Sequence, residues 1–190
     1  MPNAPINLSK AGNGDFRMGR SKLWIGLWIL AEYALVSNPL QLSSAVRVRT
    51  LRAFGARIGA GVIMRPRLRV KFPWRLTIGD RCWIGEGVWI HNQGQLTIGA
   101  DTVISQESFL TTGSHEPRRT MDLVVAPVTI GSGVWITSRC MVLSGVEIGD
   151  NTVVLPGGVV NRSLGAQGIY GGVPATFIGP REMDTASISE

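Results

Sequence analysis

The chain has two histidines, two cysteines and two tyrosines in 190 residues, and no apolar run long enough to span a bilayer. Each scarcity closes off a class of chemistry. A zinc site of the three-histidine kind could draw only on His91 and His115, with an awkward sharing between subunits, so no metal is expected. Cys82 and Cys140 form neither a ligand cluster nor a disulfide framework, which fits a reducing, cytoplasmic setting. The apolar stretch Leu23 to Val36 is 14 residues long and contains Glu32, short of the ~20 residues that cross a membrane. No small-residue cleavage pattern follows it, so it does not read as a secretory signal. Acidic residues are outnumbered, 13 against 19 Lys and Arg, a formal charge of +6. That balance suits a phosphate-bearing partner and serves solubility equally well. Nucleic acid is not expected: Arg65, Arg67, Arg69, Lys71 and Arg75 nearly alternate, as the solvated face of a strand would, and no aromatic platform is interleaved with them.

What the chain does have is a six-residue phrase. Ile78-Gly79-Asp80-Arg81-Cys82-Trp83, Ile84-Gly85-Glu86-Gly87-Val88-Trp89, Ile98-Gly99-Ala100-Asp101-Thr102-Val103, Ile130-Gly131-Ser132-Gly133-Val134-Trp135 and Ile148-Gly149-Asp150-Asn151-Thr152-Val153 are its clearest copies. A longer beat of three hexads lies above it, opened by Ile58, Ile78, Ile98, Ile130 and Ile148. A short fixed period means stacked coils, since one repeat cannot bury its own apolar side. Three hexads then make one turn of a triangular prism, an all-β parallel solenoid over residues 58–165 with its lead aliphatics inside. Each such burial contributes about 1.5–3 kcal/mol. The glycine beside each lead residue is expected to supply corner backbone angles, and Cys82 and Cys140, in the small-residue slot, are expected to be core filler.

Residues 1–20 read as a flexible leader and 21–57 as a helical segment, with one helix over Leu23 to Val36, ended by Asn38-Pro39, and a second over Ala45 to Phe54. The first helix is expected to pack on the solenoid or on a neighbouring subunit. Shallow membrane contact through residues 23–36, at the inner face of the membrane, is the alternative, because Trp, Leu, Arg20 and Lys22 are what an interfacial helix displays.

After Leu110-Thr111-Thr112-Gly113 the beat breaks, and residues 115–126 form an inserted loop before Pro127-Val128-Thr129-Ile130 restarts it. Solenoids carry chemistry on such loops. Thr112-Gly113-Ser114-His115, the loop residues Met121-Asp122-Leu123, and the following Pro127 to Ile136 resemble the maltose and galactoside O-acetyltransferase group of the hexapeptide-repeat acyltransferases. Leu51 to Gly59, Phe72-Pro73-Trp74, Trp83-Ile84-Gly85-Glu86 and the closing Gly171-Gly172-Val173-Pro174-Ala175 resemble the colanic-acid-biosynthesis acetyltransferase type. The likeness runs from about Trp24 to Arg181.

It implies a left-handed parallel β-helix, acetyl-CoA as co-substrate, a homotrimer with sites between neighbours, and a C-terminal extension, 166–190, that closes the CoA site. It makes His115 the general base that takes the proton of an acceptor hydroxyl, with Glu107, Glu116 and Asp122 all open as its orienting group. His91 and Asn92, where related enzymes often carry an aspartate, and Asp122 are acceptor-binding candidates. Trp135, Ser138, Pro156, Asn161, Arg162 and Arg181 are the cofactor-binding candidates. The implied activity is O-acetyl transfer to a saccharide hydroxyl in exopolysaccharide assembly. A non-catalytic solenoid scaffold and an N-acyltransferase acting on an amino sugar are the rivals.

Overall fold

A computed structural model describes residues 6–183 as a parallel β-solenoid of triangular section, preceded by two helices. The first five residues of the leader and the last seven of the C-terminal extension lie outside the described residues. The first face of the prism stacks Arg57–Ile58, Leu76–Ile78, Leu96–Ile98, Val128–Ile130 and Glu147–Ile148. The second stacks Ile63–Met64, Trp83–Ile84, Val103–Ile104, Trp135–Ile136, Val153–Val154 and Gly168–Gly171. The third stacks Arg69–Val70, Trp89–His91, Phe109–Thr111, Met141–Val142 and Val159–Val160.

The period-six pattern works because one residue of each short strand points in and its neighbour points out. Ile84, Ile90, Ile104, Leu110, Ile136 and Val142 are fully buried, while Trp83 and Trp135, one position earlier, stand outside. Coils are joined by backbone bonds of nearly constant length: Gly59, Gly79, Gly99 and Gly131 each donate to the carbonyl of the next coil's lead isoleucine at 2.8 Å. The small slot is indeed interior, with Cys82 and Cys140 buried and free. It also has a polar use, since Cys82 Sγ donates to the Gly99 carbonyl at 3.0 Å, and the hydroxyls of Thr102 and Thr152 donate to the Gly131 and Gly165 carbonyls, both at 2.8 Å.

The glycine beside each lead isoleucine has a different cause from the one expected. A Cβ on Gly79 would lie 2.6 Å from Ala100 N, and one on Gly99 would lie 2.6 Å from Gly131 C. Close approach of successive coils, and not an unusual φ, excludes a side chain there. The left-handed conformation falls two positions later, on Gly61, Arg81, Asp101, Gly133 and Asn151 along one edge and on Arg67, Gly87, Glu107, Arg139 and Gly157 along the next. The non-glycine members offset that strain partly by pairing between coils: Arg81 with Asp101 at 2.6 Å and Arg139 with Glu107 at 2.8 Å.

Helix α1 (Lys22–Ala31) is N-capped by Ser21, whose side chain accepts from Trp24 N, and runs into a π-helical turn, Glu32–Val36. Helix α2 (Ser44–Ala53) follows. Together they close the open end of the first coil. Its inward residues Ile58, Met64 and Val70 turn backbone groups away from the second coil, and the helices meet them with side chains. Arg52 donates to the Ile58 carbonyl, Ser44 Oγ accepts from Met64 N at 2.9 Å, and Glu32 accepts from Val70 N at 3.2 Å while Trp28 Nε1 donates to the Val70 carbonyl at 3.1 Å. Burial pushes the Glu32 carboxyl above its ordinary range, against the opposing effects of the Val70 N–H and Arg69. Arg47, with no solvent exposure, gives its guanidinium to the carbonyls of Val36, Gln41 and Met64. At the far end Thr176–Pro180 folds back antiparallel on Gly168–Gly171. No helix of the described residues is long and apolar enough to cross a membrane.

Gly99→Ala should therefore lower unfolding free energy by about 1–3 kcal/mol, the cost of overpacking against a backbone. Gly61→Asn, at φ 68° where an added Cβ would meet nothing nearer than 3.5 Å, should stay within about 1 kcal/mol, since Asn tolerates this conformation. Urea unfolding of both variants checks the distinction; equal losses would return the lead-residue glycine to a conformational role.

Candidate active site

The break in the repeat sits at the corner between the third and first faces. It folds as an antiparallel ribbon in which Gly113–His115 pairs with Leu123–Val125 and His115 lies opposite Leu123. Thr112, buried at its root, accepts from Gly94 N through Oγ1 at 2.6 Å and from Ala126 N through its carbonyl at 2.9 Å. The ribbon's far end is shaped by Glu116, whose carboxylate accepts from the backbone N–H groups of Arg118, Arg119 and Thr120 at 2.9, 2.6 and 3.0 Å. These bonds, that of Thr120 foremost, hold the carboxyl below its usual range.

His115 is exposed, and its Nδ1 lies 2.9 Å from the Met121 carbonyl oxygen. A carbonyl only accepts, so in the neutral ring Nδ1 carries the proton and the lone pair is on Nε2. None of the three acids proposed from sequence orients it: Glu107 pairs with Arg139, Glu116 shapes the turn, and Asp122 Oδ1 accepts from Gly12 N at 2.6 Å. The orienting group is a main-chain atom, for which side-chain identity gives no signal.

The leader, expected to be loose, is held against this ribbon and the first coil. Leu123 N donates to the Gly12 carbonyl at 3.1 Å, and the side chains of Trp74 and Arg75 donate to the Met18 and Arg17 carbonyls. Leader and ribbon enclose a cleft of 820 Å³ lined by Phe16, Arg17, Arg75, Glu116, Asp122 and Leu123, among others. His115 is not in its lining.

The three acceptor candidates go to three places. Asp122 lines the cleft just described. Asn92 has no exposure, and its amide is spent within the protein, accepting from Phe72 N at 3.1 Å and donating to the Phe72 and Arg75 carbonyls at 2.8 and 3.1 Å. It fastens the corner of the first coil and cannot touch an acceptor. His91 is half-buried in a second cleft, of 420 Å³, between α1 and the early coils, where Trp28, Arg69, Lys71 and Trp89 also stand. Its Nε2 lies 3.3 Å from Lys71 Nζ and its Nδ1 3.5 Å from Thr111 Oγ1. Burial, and then the Lys71 ammonium, push its pKa below the ordinary value.

The cofactor candidates are also divided. Trp135, half-exposed with Nε1 donating to Ser105 Oγ at 3.0 Å, stands on the second face, and Ser138 and Pro156 lie at the corner after it. Asn161 and Arg162 are exposed at the corner that carries the ribbon, two coils further on. Arg181 is committed to the prism, donating to the Gly133 carbonyl at 2.7 Å. Among the described residues no group of three or more His, Cys, Asp or Glu could hold a metal.

Residues 127–162 match the family model described as bacterial transferase hexapeptide (six repeats). The chain is 37% identical over 164 residues to "Putative colanic acid biosynthesis acetyltransferase WcaF" of Escherichia coli K12, covering 86% of this chain and 90% of that one. The chain belongs to the hexapeptide-repeat acetyltransferase family. The galactoside O-acetyltransferase of the same organism is 28% identical, with 75% and 71% of the two chains covered. A hexapeptide-repeat acetyltransferase of Vibrio cholerae, solved with acetyl coenzyme A, shares the fold at a TM-score of 0.72 and 24% identity, with 85% and 87% covered. In this acetyltransferase the matched segment contains Trp135, Ser138, Pro156, Asn161 and Arg162, and begins just after the ribbon that carries His115.

Two outcomes separate structural from ligand roles. Asn92→Ala should lower unfolding free energy by about 1–3 kcal/mol by leaving buried groups unpaired; unchanged stability with an altered acceptor KM would restore the ligand role. His91 has a folded-state pKa below its unfolded one, so stability should decline as pH falls below about 6.5. His91→Gln should flatten that part of the profile in thermal melts, and an identical slope in both proteins would remove His91 as its source.

Proposed function

We propose that this acetyltransferase moves an acetyl group from acetyl-CoA to a saccharide hydroxyl, with His115 as general base. The observation that carries the reading is the Met121 carbonyl 2.9 Å from His115 Nδ1: in the neutral ring it assigns the lone pair to Nε2, on an exposed ribbon. His115 Nε2 takes the acceptor hydroxyl's proton as that oxygen bonds to the thioester carbonyl carbon, then returns it to the sulfur as the carbon–sulfur bond breaks. The protein itself forms no covalent bond. Base catalysis of this kind contributes about 10²–10⁴-fold. A scaffold without catalysis would have no need of an exposed imidazole whose orientation is held by a main-chain carbonyl. Attack by an amine would use the same base, and the family relationship to the galactoside O-acetyltransferase favours oxygen.

The division of the binding residues supports a homotrimer. Trp135, Ser138 and Pro156 lie toward one side of the prism, while His115, Asn161 and Arg162 share another corner. A groove between two copies of one closed ring brings the sides together and supplies the second wall that the exposed His115 lacks. Arg162, exposed and without an ion pair among the described residues, is the cation for a CoA phosphate, and Trp135 is an apolar wall for the pantetheine.

His115→Ala should cut kcat by about 10²–10⁴-fold in a thiol-release assay with a panel of mono-, oligo- and lipid-linked sugars, while acetyl-CoA binding by calorimetry is unchanged. Near-normal turnover in that variant would end the mechanism. Arg162→Ala should raise the KM for acetyl-CoA about tenfold, as the loss of a charge-assisted bond implies, with little change in kcat; an effect confined to the sugar would move the cofactor elsewhere.

A further inference from the structure

Helix α1 and the π-helical turn that follows it present apolar residues on opposite sides. Trp28 and Val36 face the core, yet Leu23, Leu30 and Tyr33 on the opposite side are 75%, 70% and 79% exposed, joined by Leu27 and, in the link to α2, by Leu40 and Leu42. Positions 23, 27, 30 and 34 form one continuous stripe at helical spacing. A helix with two apolar sides normally covers both of them.

The charge distribution says with what. Residues 20–79, the helices and the first coil, carry eleven Lys and Arg against Glu32 alone, a formal +10; residues 80–183 carry six against nine, a formal −3. The molecule is a dipole along the prism, with its positive pole at the capped end. Among the described residues only Arg67 of these eleven is in an ion pair, with Glu86 at 3.6 Å. Lys22 opens α1, and Arg69 and Lys71 share a cleft with Ile25 and Ile29 of the same helix. Leucines on an end that also exposes Arg20, Lys22, Arg49, Arg69 and Lys71 are complementary to a surface that is apolar inside and anionic outside. A second copy of the chain fits badly, because cap against cap would press two +10 poles together.

We propose that the α1 end of the prism docks on an anionic lipid bilayer, with the Leu23–Leu27–Leu30 stripe among the acyl chains and the surrounding Arg and Lys at the headgroups. The prism then stands with its negative end away from the membrane, and the cleft holding Arg69, Lys71 and His91 opens at headgroup level. This docking is independent of the identity of the acceptor.

The test is co-sedimentation of the full chain with vesicles of phosphatidylcholine alone and with added phosphatidylglycerol. The bound fraction should be at least about tenfold higher on the anionic vesicles and should fall steeply in about 1 M salt. Leu27→Ser with Leu30→Ser should reduce binding about tenfold, and Arg20→Glu with Lys22→Glu should do so on anionic vesicles; the second pair, polar on both counts, decides the matter if the first does not fold. No preference for anionic vesicles, or binding indifferent to both pairs, overturns the proposal. So does a wild-type oligomer that dissociates in sedimentation velocity, without lipid, when Leu27 and Leu30 are replaced, since the stripe then belongs to another copy.

Discussion

A stack of parallel strands must stop somewhere, and at its first coil every inward residue turns an amide and a carbonyl toward empty space. Leaving such groups unpaired costs about 1–3 kcal/mol each, against a total folding stability of only about 5–15 kcal/mol. The helices answer this one face at a time: Arg52 on the first, Ser44 and Arg47 on the second, Glu32 and Trp28 on the third. That demand accounts for an acid in an apolar helix and for a fully buried arginine with no acidic partner. It also fixes where α1 sits, and hence which of its sides is left outward.

The interior of the prism was legible because its cause is local and periodic: one residue in, one out, six to a face. The reason for the adjacent glycine was not, since the clash that excludes a Cβ comes from the next coil, as at Gly79 against Ala100. The left-handed positions were hidden for the opposite reason. Arg81, Asp101, Glu107 and Arg139 look like ordinary surface charge, and only the stack shows that each sits at a corner. In sequence Arg47 is one more cation of the second helix; nothing marks it as the plug beneath the first.

At the site, the broken beat pointed to the ribbon and its histidine, both of which depend on an interruption that sequence displays. Asn92 was misplaced because the resemblance marks its stretch as the place of the acceptor, whereas the backbone sends Asn92 inward and leaves its neighbour His91 half-buried in a cleft. The leader was misjudged because its glycines and polar residues suggest mobility, while its contacts are made mainly by its own backbone, with Asp122, Leu123, Trp74 and Arg75. Main-chain partners leave no mark on composition.

The bond from His115 to Met121 has a bearing on how such a protein can change over time. Donor and acceptor belong to the same ribbon, six positions apart, so the setting of the imidazole contains no reference to the number of rungs above or below it. Lineages are free to lengthen or shorten the column, and to remodel its ends for new surroundings, while the ring keeps its setting.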